Sequence, residues 1–226
     1  MTIVYEDNHV LIVNKACGEL VQVDKTGDAS LEDNLKIWLK EKYNKPGNVF
    51  LGVTHRLDRP VTGLVIFAKT SKVLPRLNEQ FKNGEIHKTY WAIIKNVPPN
   101  EEGVLEHYLY RNEKQNKSYV CNADKTGSKK AILHYKLLGK SDTFFLLEIE
   151  LMTGRHHQIR CQLAEMGCPI RGDLKYGFPR SNSDGGISLH SRRVKFVHPV
   201  SGIEIDVTAP VPENDTIWKF FGKYFQ

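Results

Sequence analysis

Three segments of this 226-residue sequence hold residue types at spacings suited to chemistry. The first is HRLDRPVTGLVIFAKT, residues 55–70. His55, Arg56, Asp58 and Arg59 crowd a loop directly before an apolar run, with Pro60 and Gly63 shaping the turn. A carboxylate at the foot of a strand has a rigid support, and cations beside it favour its ionised form. Such a carboxylate can act as a nucleophile or a general base, which makes Asp58 the candidate. The competing reading is a turn whose charges only face water.

The second segment is LMTGRHHQIRCQLAEMGCPIRGDLKYG, residues 151–177. An apolar run passes through Thr153-Gly154 into a predicted helix over 155–166, whose first two turns carry Arg155, His156, His157, Gln158 and Arg160. With Ile159 at the centre of the apolar stripe, Leu163 stands at roughly 40°, His156 at about 60° and Arg160 at about 100°. Arg160 thus lies at the edge of the buried face, where an unpaired charge is costly. A carboxylate from a distant loop suits it, and Asp58 is the natural suggestion. Alternatively, Arg160 and Arg155 are solvated cations that meet phosphate by charge alone.

The third is EIHKTYWAIIK, residues 85–95. Tyr90 and Trp91 alternate along a predicted strand, so one of them faces away from the core. Beside His87 and Lys88, that face could stack an unstacked base next to a cation for its phosphate. A plain core strand explains the same residues.

Other chemistries fit poorly. Adjacent His156 and His157 point about 100° apart on a helix and cannot share one ion as an i, i+4 pair does. Cys161 and Cys168 are not at metal-ligand spacing. The four cysteines, completed by Cys17 and Cys121, form no CxxC pair, so neither a zinc ribbon nor a disulfide framework is indicated. HRLD is like the catalytic loop of a kinase, but its Asp comes one place late and no glycine-rich phosphate loop exists.

Composition frames these segments. Lys plus Arg is 32 against 26 Asp plus Glu, a net charge of +6 that leans toward a polyanionic partner without establishing one. Hydrophobic residues at 40% and aromatics at 10% exclude a disordered chain. No apolar run approaches a membrane span, and the first residues lack a signal-peptide pattern, so a soluble cytoplasmic protein is expected. The length suits a single domain over 1–226.

The elements that must position the candidates follow from periodicity. Short runs rich in β-branched and aromatic residues predict strands at 9–15, 63–69, 88–95, 131–138, 143–152, 193–198 and 203–209, with a hairpin turn at HPVSG (198–202). Helices are predicted over 31–43, 72–82, 155–166 and 214–225, the first opened by Ser30 with Asp33 as a capping-box variant. NVPPNEEG (96–103) and residues 172–186 read as loops. The class is α+β, with a mixed, mostly antiparallel sheet and flanking helices.

Together the three segments resemble the RluA family of RNA pseudouridine synthases. HRLDRPVTGLVIFAKT is similar to the family's HRLDxxTSGLxxFAKT, KTYWAI to its K-x-Y-x-A, and LMTGRHHQIRCQLAEMGCPIRGDLKYG to L-x-T-G-R-x-H-Q-I-R-x-H-L-x-x-x-G-x-P-I-x-G-D-x-x-Y-G. Weaker matches bracket them at YEDNHVLIVNKACG, SLHSRRVKFVHPVSG and TAPVP. The resemblance implies the pseudouridine synthase catalytic fold and isomerisation of uridine in structured rRNA or tRNA. It implies Asp58 as the catalytic aspartate, Tyr90 as the tyrosine stacked on the target uracil, and Arg160 as the cation paired with the aspartate. Arg56 would help displace the target base while His55 shapes the loop. RNA contacts are further expected from Arg155, His157, Gln158, Lys69 and Arg171.

No cofactor, no metal and no protein partner are implied, and a monomer is the default. The S4 RNA-binding module of many relatives is expected to be absent, because Tyr5-Glu6-Asp7 already opens the catalytic domain. Val61-Thr62 stands where Thr-Ser is usual, Ala16-Cys17 replaces the usual Pro, Gln162 a frequent His, and Ser191 the usual Ala. None of these removes a catalytic group. The rival of another class is a non-catalytic RNA-binding protein on the same fold, and a metal-dependent hydrolase is a more distant one.

Overall fold

The computed structural model describes residues 2–24 and 27–224. In chain order its elements are β1 (Thr2–Glu6), β2 (Val10–Lys15), α1 (Leu31–Lys42), β3 (Gly52–Val53), β4 (Thr62–Ala68), α2 (Leu74–Asn83), β5 (His87–Ile94), β6 (Glu102–Asn112), β7 (Lys117–Cys121), β8 (Lys129–Lys140), β9 (Phe145–Leu151), α3 (Gln158–Glu165), a 3₁₀ turn (Leu174–Tyr176), β10 (Leu189–Val197), β11 (Glu204–Thr208) and α4 (Thr216–Tyr224). The contacts divide the chain into two compact units, Met1–Ile86 with Ser191–Pro210, and His87–His190 with Val211–Gln226.

The first unit is built on strands in the order β1-β2-β4-β10, with β3 pairing β4 and β11 pairing β10. β2 and β4 are antiparallel in the register Val10↔Ala68 to Lys15↔Gly63. Both strands read as continuous apolar runs because both of their faces are covered. Val10, Ile12, Leu64 and Ile66 join Leu77 of α2 and Phe196 of β10 in one cluster, while Leu11, Val13, Val65 and Phe67 on the opposite face are equally buried. α1 buries Leu31, Leu35 and Leu39, and its capping box forms as its sequence predicts: Asp33 N–H donates to Ser30 Oγ at 3.2 Å and Ser30 N–H to Asp33 Oδ2 at 3.3 Å. Each of those leucines contributes about 1.5–3 kcal/mol by burial, more than the cap's ~1 kcal/mol.

The second unit is a sheet in the order β5-β9-β8-β6-β7, antiparallel at each pairing. One face carries Leu109, Ala131 and Leu133, and α3 packs along it with Cys161 near Tyr176. The other face carries Trp91, Ile93 and Leu146 under Trp218 and Phe221 of α4.

The α+β class with a mostly antiparallel sheet holds, as do all seven predicted strands. β1, β3, β6 and β7 were not predicted. In β6, Leu105, His107 and Leu109 alternate with Val104, Glu106, Tyr108 and Tyr110, so each face mixes polar with apolar and the two-residue period is blurred. The helix predicted over 155–166 begins instead at Gln158. His157 adopts a left-handed φ of 53°, and the Gln158 Oε1 accepts from Thr153 Oγ1 (2.8 Å) and Arg155 N–H (3.0 Å). That side-chain turn takes the place of a first helical turn, so His156 is not on a helix at all. At the C-terminus Phe225 and the side chain of Tyr224 lie outside the described residues. No helix is long and apolar enough to cross a membrane, among the described residues.

Candidate active site

In the first unit the chemistry-bearing loop runs from Thr54 into β4. β3 pairs with the end of β4 through Gly52↔Ala68 and Val53↔Phe67, and then side chains replace the ladder. Thr54 Oγ1 donates to the Ile66 carbonyl at 2.6 Å, and Ile66 N–H donates to His55 Nε2 at 3.0 Å. The His55 ring also packs against Phe81 of α2, with centroids 4.8 Å apart. His55 is thus tied into the loop through Ile66 and Phe81, with its Nε2 engaged inside the protein.

Asp58 opens a tight turn in which Val61 N–H donates to the Asp58 carbonyl at 3.0 Å. Lys15, 1% exposed at the end of β2, clasps that turn: its ammonium donates to the carbonyls of Val61 (2.6 Å), Ala16 (3.0 Å) and Arg59 (3.1 Å). An ammonium has three protons, and three carbonyls take them. Burial presses the Lys15 pKa down to about 8, against the opposing pull of Glu19, Cys17 and Asp58, with Arg59 adding to the lowering. Gly18 holds the same turn from the other side, its N–H on the Arg59 carbonyl (3.0 Å) and its carbonyl on Arg59 Nε (3.1 Å). Gly63, the second residue of β4, has φ +110°, and a Cβ there would stand 2.4 Å from the Ser191 carbonyl oxygen, so only glycine lets the two backbones approach. Within this locked loop Asp58 is half-buried and Arg56 is exposed, with no hydrogen bond or ion pair to any described residue.

In the second unit Tyr90 lies in β5, 6% exposed and opposite Ile149. It shares its face with Lys88, half-buried, whose ammonium stands 3.6 Å from where a Gly154 Cβ would be. Burial lowers the Lys88 pKa. Trp91 points to the opposite face, its Nε1 donating to Glu148 at 3.3 Å.

Arg160 is 5% exposed, deeper than the margin its helical position indicated. Asp173 grips it bidentately, Nε to Oδ2 at 2.7 Å and Nη2 to Oδ1 at 2.9 Å. The Tyr176 ring lies 5.1 Å from the guanidinium carbon. Asp173 was missed by sequence reasoning, although it stands in the quoted Gly172-Asp173 motif thirteen residues on. Lys15 and Lys88 were also outside the predicted site. Lys15 closes the apolar run of β2 and stands in the quoted YEDNHVLIVNKACG match, which was the signal for it.

Four more of the expected RNA contacts are used internally. His157 is buried with Nδ1 3.0 Å from the Tyr176 hydroxyl. Gln158 has its oxygen occupied as described and its Nε2 on the Ile132 carbonyl at 3.0 Å. Lys69 pairs with Glu6 at 2.7 Å. Burial opposes ionisation of Glu6, but hydrogen bonds from Lys42, Lys69 and Tyr43 outweigh it and hold the carboxyl down at about 2. Arg171 pairs with Asp215 at 2.7 Å and donates to Ser188 at 3.0 Å. Arg155 stays exposed while its Nε donates to the Lys130 carbonyl at 2.9 Å.

Asp7, His9 and His198 come close enough to suggest a metal site. The hydrogen bonds argue otherwise. Val200 N–H (3.2 Å) and Ser201 N–H (2.9 Å) both donate to His198 Nδ1, so in the neutral ring the proton sits on Nε2, 3.0 Å from Asp7 Oδ2. A protonated nitrogen has no lone pair for a cation, and the trio braces the β10–β11 hairpin instead.

Residues 9–165 match the family model described as RNA pseudouridylate synthase. A Bacillus subtilis (strain 168) protein named "Uncharacterized RNA pseudouridine synthase YlyB" is 32% identical over 218 residues, 95% of this chain and 70% of that protein. The ribosomal large subunit pseudouridine synthase D of Zymomonas mobilis is 30% identical, covering 95% of this chain and 70% of its own. The corresponding synthase C of Buchnera aphidicola (Baizongia pistaciae) is 32% identical over 92% of this chain and 66% of its own, so the chain spans about two thirds of such relatives. In fold it is similar to human RNA Pseudouridylate Synthase Domain Containing 4, with a TM-score of 0.80, 24% identity, and coverage of 98% and 92% of the two chains. An aspartate loop at the head of β4, a tyrosine on β5 and a buried arginine on α3 are thus carried by a chain that belongs to the RNA pseudouridylate synthase family.

Proposed function

We propose that this chain converts uridine to pseudouridine in a structured RNA, with residues 1–226 acting as one catalytic domain. The observation that carries the reading is the Asp58 turn. It is fixed by the three-carbonyl clasp of Lys15 while leaving exposed, two residues earlier, a guanidinium held by no other described residue. A reacting carboxylate has to be held still, and a base can be reached only when something takes its place in the stack.

The reaction breaks the N1–C1′ bond of the uridine and joins C5 to C1′. The proton at C5 leaves and N1 gains one, so no electrons are transferred to or from an outside reagent. Asp58 is the covalent catalyst, Arg56 enters the stack as the uridine leaves it, and Tyr90 supplies the ring on which the uracil lies. Arg160, held bidentately by Asp173, is the buried cation of the proposed site. Two of the relatives are named for the ribosomal large subunit, which favours ribosomal over transfer RNA as substrate and a cytoplasmic site of action.

Tritium placed at uridine C5 must leave when the new glycosidic bond forms. Release of tritium from bulk ribosomal RNA, or from bulk transfer RNA assayed separately, is the expected result. No release from either RNA overturns the reading.

A further inference from the structure

β6 and β7 form a long antiparallel hairpin in which Tyr110 stands directly opposite Tyr119, and Tyr108 opposite Cys121. Directly opposed residues share a face. Tyr108, Tyr110 and Tyr119 therefore lie together on the face away from Leu109, which is buried in the α3-side cluster. Lys130 of β8 is opposite Tyr108 and extends the same face. None of the three rings is buried, and Tyr119 is 39% exposed.

Cations stand over these rings. The Lys125 ammonium is 4.2 Å from the Tyr110 centroid, and that of Lys117, at the sheet edge, is 5.2 Å from the Tyr119 centroid and 4.9 Å from that of Tyr176. Lys130 pairs with Glu106 at 2.7 Å, whereas neither Lys117 nor Lys125 has a carboxylate in ion-pair reach among the described residues. Residues 106–130 hold six Lys or Arg against three Asp or Glu, so this short stretch carries half of the chain's surplus of +6. Aromatic rings in a row with uncompensated ammonium groups beside them match the repeat of an unpaired nucleic acid, which offers a base to stack and a phosphate to neutralise at every step. A protein partner of acidic character explains the lysines but leaves three adjacent tyrosines without a purpose.

We propose that this face of the β6–β7 hairpin binds a single-stranded segment of the RNA that flanks the modified uridine, its bases stacking on Tyr110 and Tyr119 and its phosphates on Lys117 and Lys125. The proposal rests on the reading of the substrate as RNA. Tyr90 belongs to the opposite face of the same sheet, so the hairpin grips RNA beyond the reacting nucleotide and governs affinity rather than turnover at saturation.

The test measures binding of a fluorescently labelled single-stranded RNA of about a dozen nucleotides, alongside a duplex of equal length, to the full chain. Replacing both rings (Tyr110→Ala with Tyr119→Ala) should weaken single-strand binding at least about tenfold. The paired Tyr→Phe replacements should stay within about twofold, because stacking needs the ring and not the hydroxyl. Wild-type affinity in the alanine pair, or an equal loss in the phenylalanine pair, overturns the proposal, and so does an equal loss on the duplex. If the alanine pair does not fold, photo-crosslinking of 4-thiouridine RNA to the wild-type chain decides. Adducts at Tyr110 or Tyr119 support the surface, and adducts confined to other residues refute it. Uridine isomerisation with no hairpin contact rejects this surface alone, whereas hairpin binding with no isomerisation rejects the catalytic reading alone.

Discussion

The ammonium of Lys15 lies 2.6 Å from the carbonyl oxygen of Val61, three residues past Asp58. With its two further carbonyls it has no donor to spare, so losing one proton must release one strand of the clasp. Because its folded pKa is about 8 against an ordinary 10.5, the folded chain holds fewer protons than the unfolded chain between those values. The Lys15 contribution to stability therefore rises as pH climbs through this window. Turnover should move the other way and decline above about pH 8. Lys15→Met should lower turnover at least about tenfold and remove that alkaline limb, and it should cost about 1–3 kcal/mol of stability because the carbonyls of the clasp lose their donor. A pH–rate profile checks this, with Cys17→Ser as the control for the neighbouring thiol. Persistence of the limb in Lys15→Met refutes the assignment.

Asp58→Asn keeps the shape of the turn and removes the charge. Turnover should fall at least about a thousandfold, with RNA affinity within a few-fold of wild type. Tritium release and filter binding measure the two quantities, and residual turnover within about tenfold rejects Asp58 as the catalytic group.

Arg160 and Asp173 form a buried bidentate pair, with side chains 6% and 1% exposed. Removing one partner of such a pair strands the other charge in a poor solvent. Asp173→Asn should cost about 3–5 kcal/mol in denaturant unfolding. A loss under ~1 kcal/mol would show that other groups neutralise Arg160.

Gly63→Ala places a methyl group 2.4 Å from the Ser191 carbonyl at a φ of +110°. Backbone cannot yield as a flexible side chain does, so the expected loss is about 3 kcal/mol or more, read as a lowered melting temperature. An unchanged melting temperature means that β4 and Ser191 can separate.

Arg56 and Lys69 should separate function from structure. Arg56→Gln touches an exposed guanidinium held by no other described residue, so its melting temperature should stay put while turnover drops at least about tenfold. Lys69→Met breaks the contact that helps depress Glu6, so it should destabilise the fold by about 1–3 kcal/mol and leave the salt dependence of RNA binding unchanged. The reverse pattern exchanges their roles.

Local pattern was enough for much of this. The Ser30 cap, the apolar stripe of α1 and the seven regular strands follow from spacing, because each depends on a period or a hydrogen bond spanning a few residues. The candidate residues Asp58, Tyr90 and Arg160 were legible too, through motif residues that are close in sequence.

Which polar side chains the fold consumes was settled only in three dimensions. His55, Lys69, His157, Gln158 and Arg171 look like contacts for a polyanion when read one by one. Their partners Ile66, Glu6, Tyr176, Ile132 and Asp215 are mostly far along the chain, and a charge or hydrogen-bonding group leaves water only where such a partner meets it. The same holds for Lys15 and Asp173, whose importance lies wholly in what they touch. The sequence by itself determined the family, seven of the eleven strands and the candidate residues on which the proposed reaction rests. Tertiary structure decided which charges are paired within the fold and which stay exposed, because burial and pairing are properties of neighbours that periodicity does not encode.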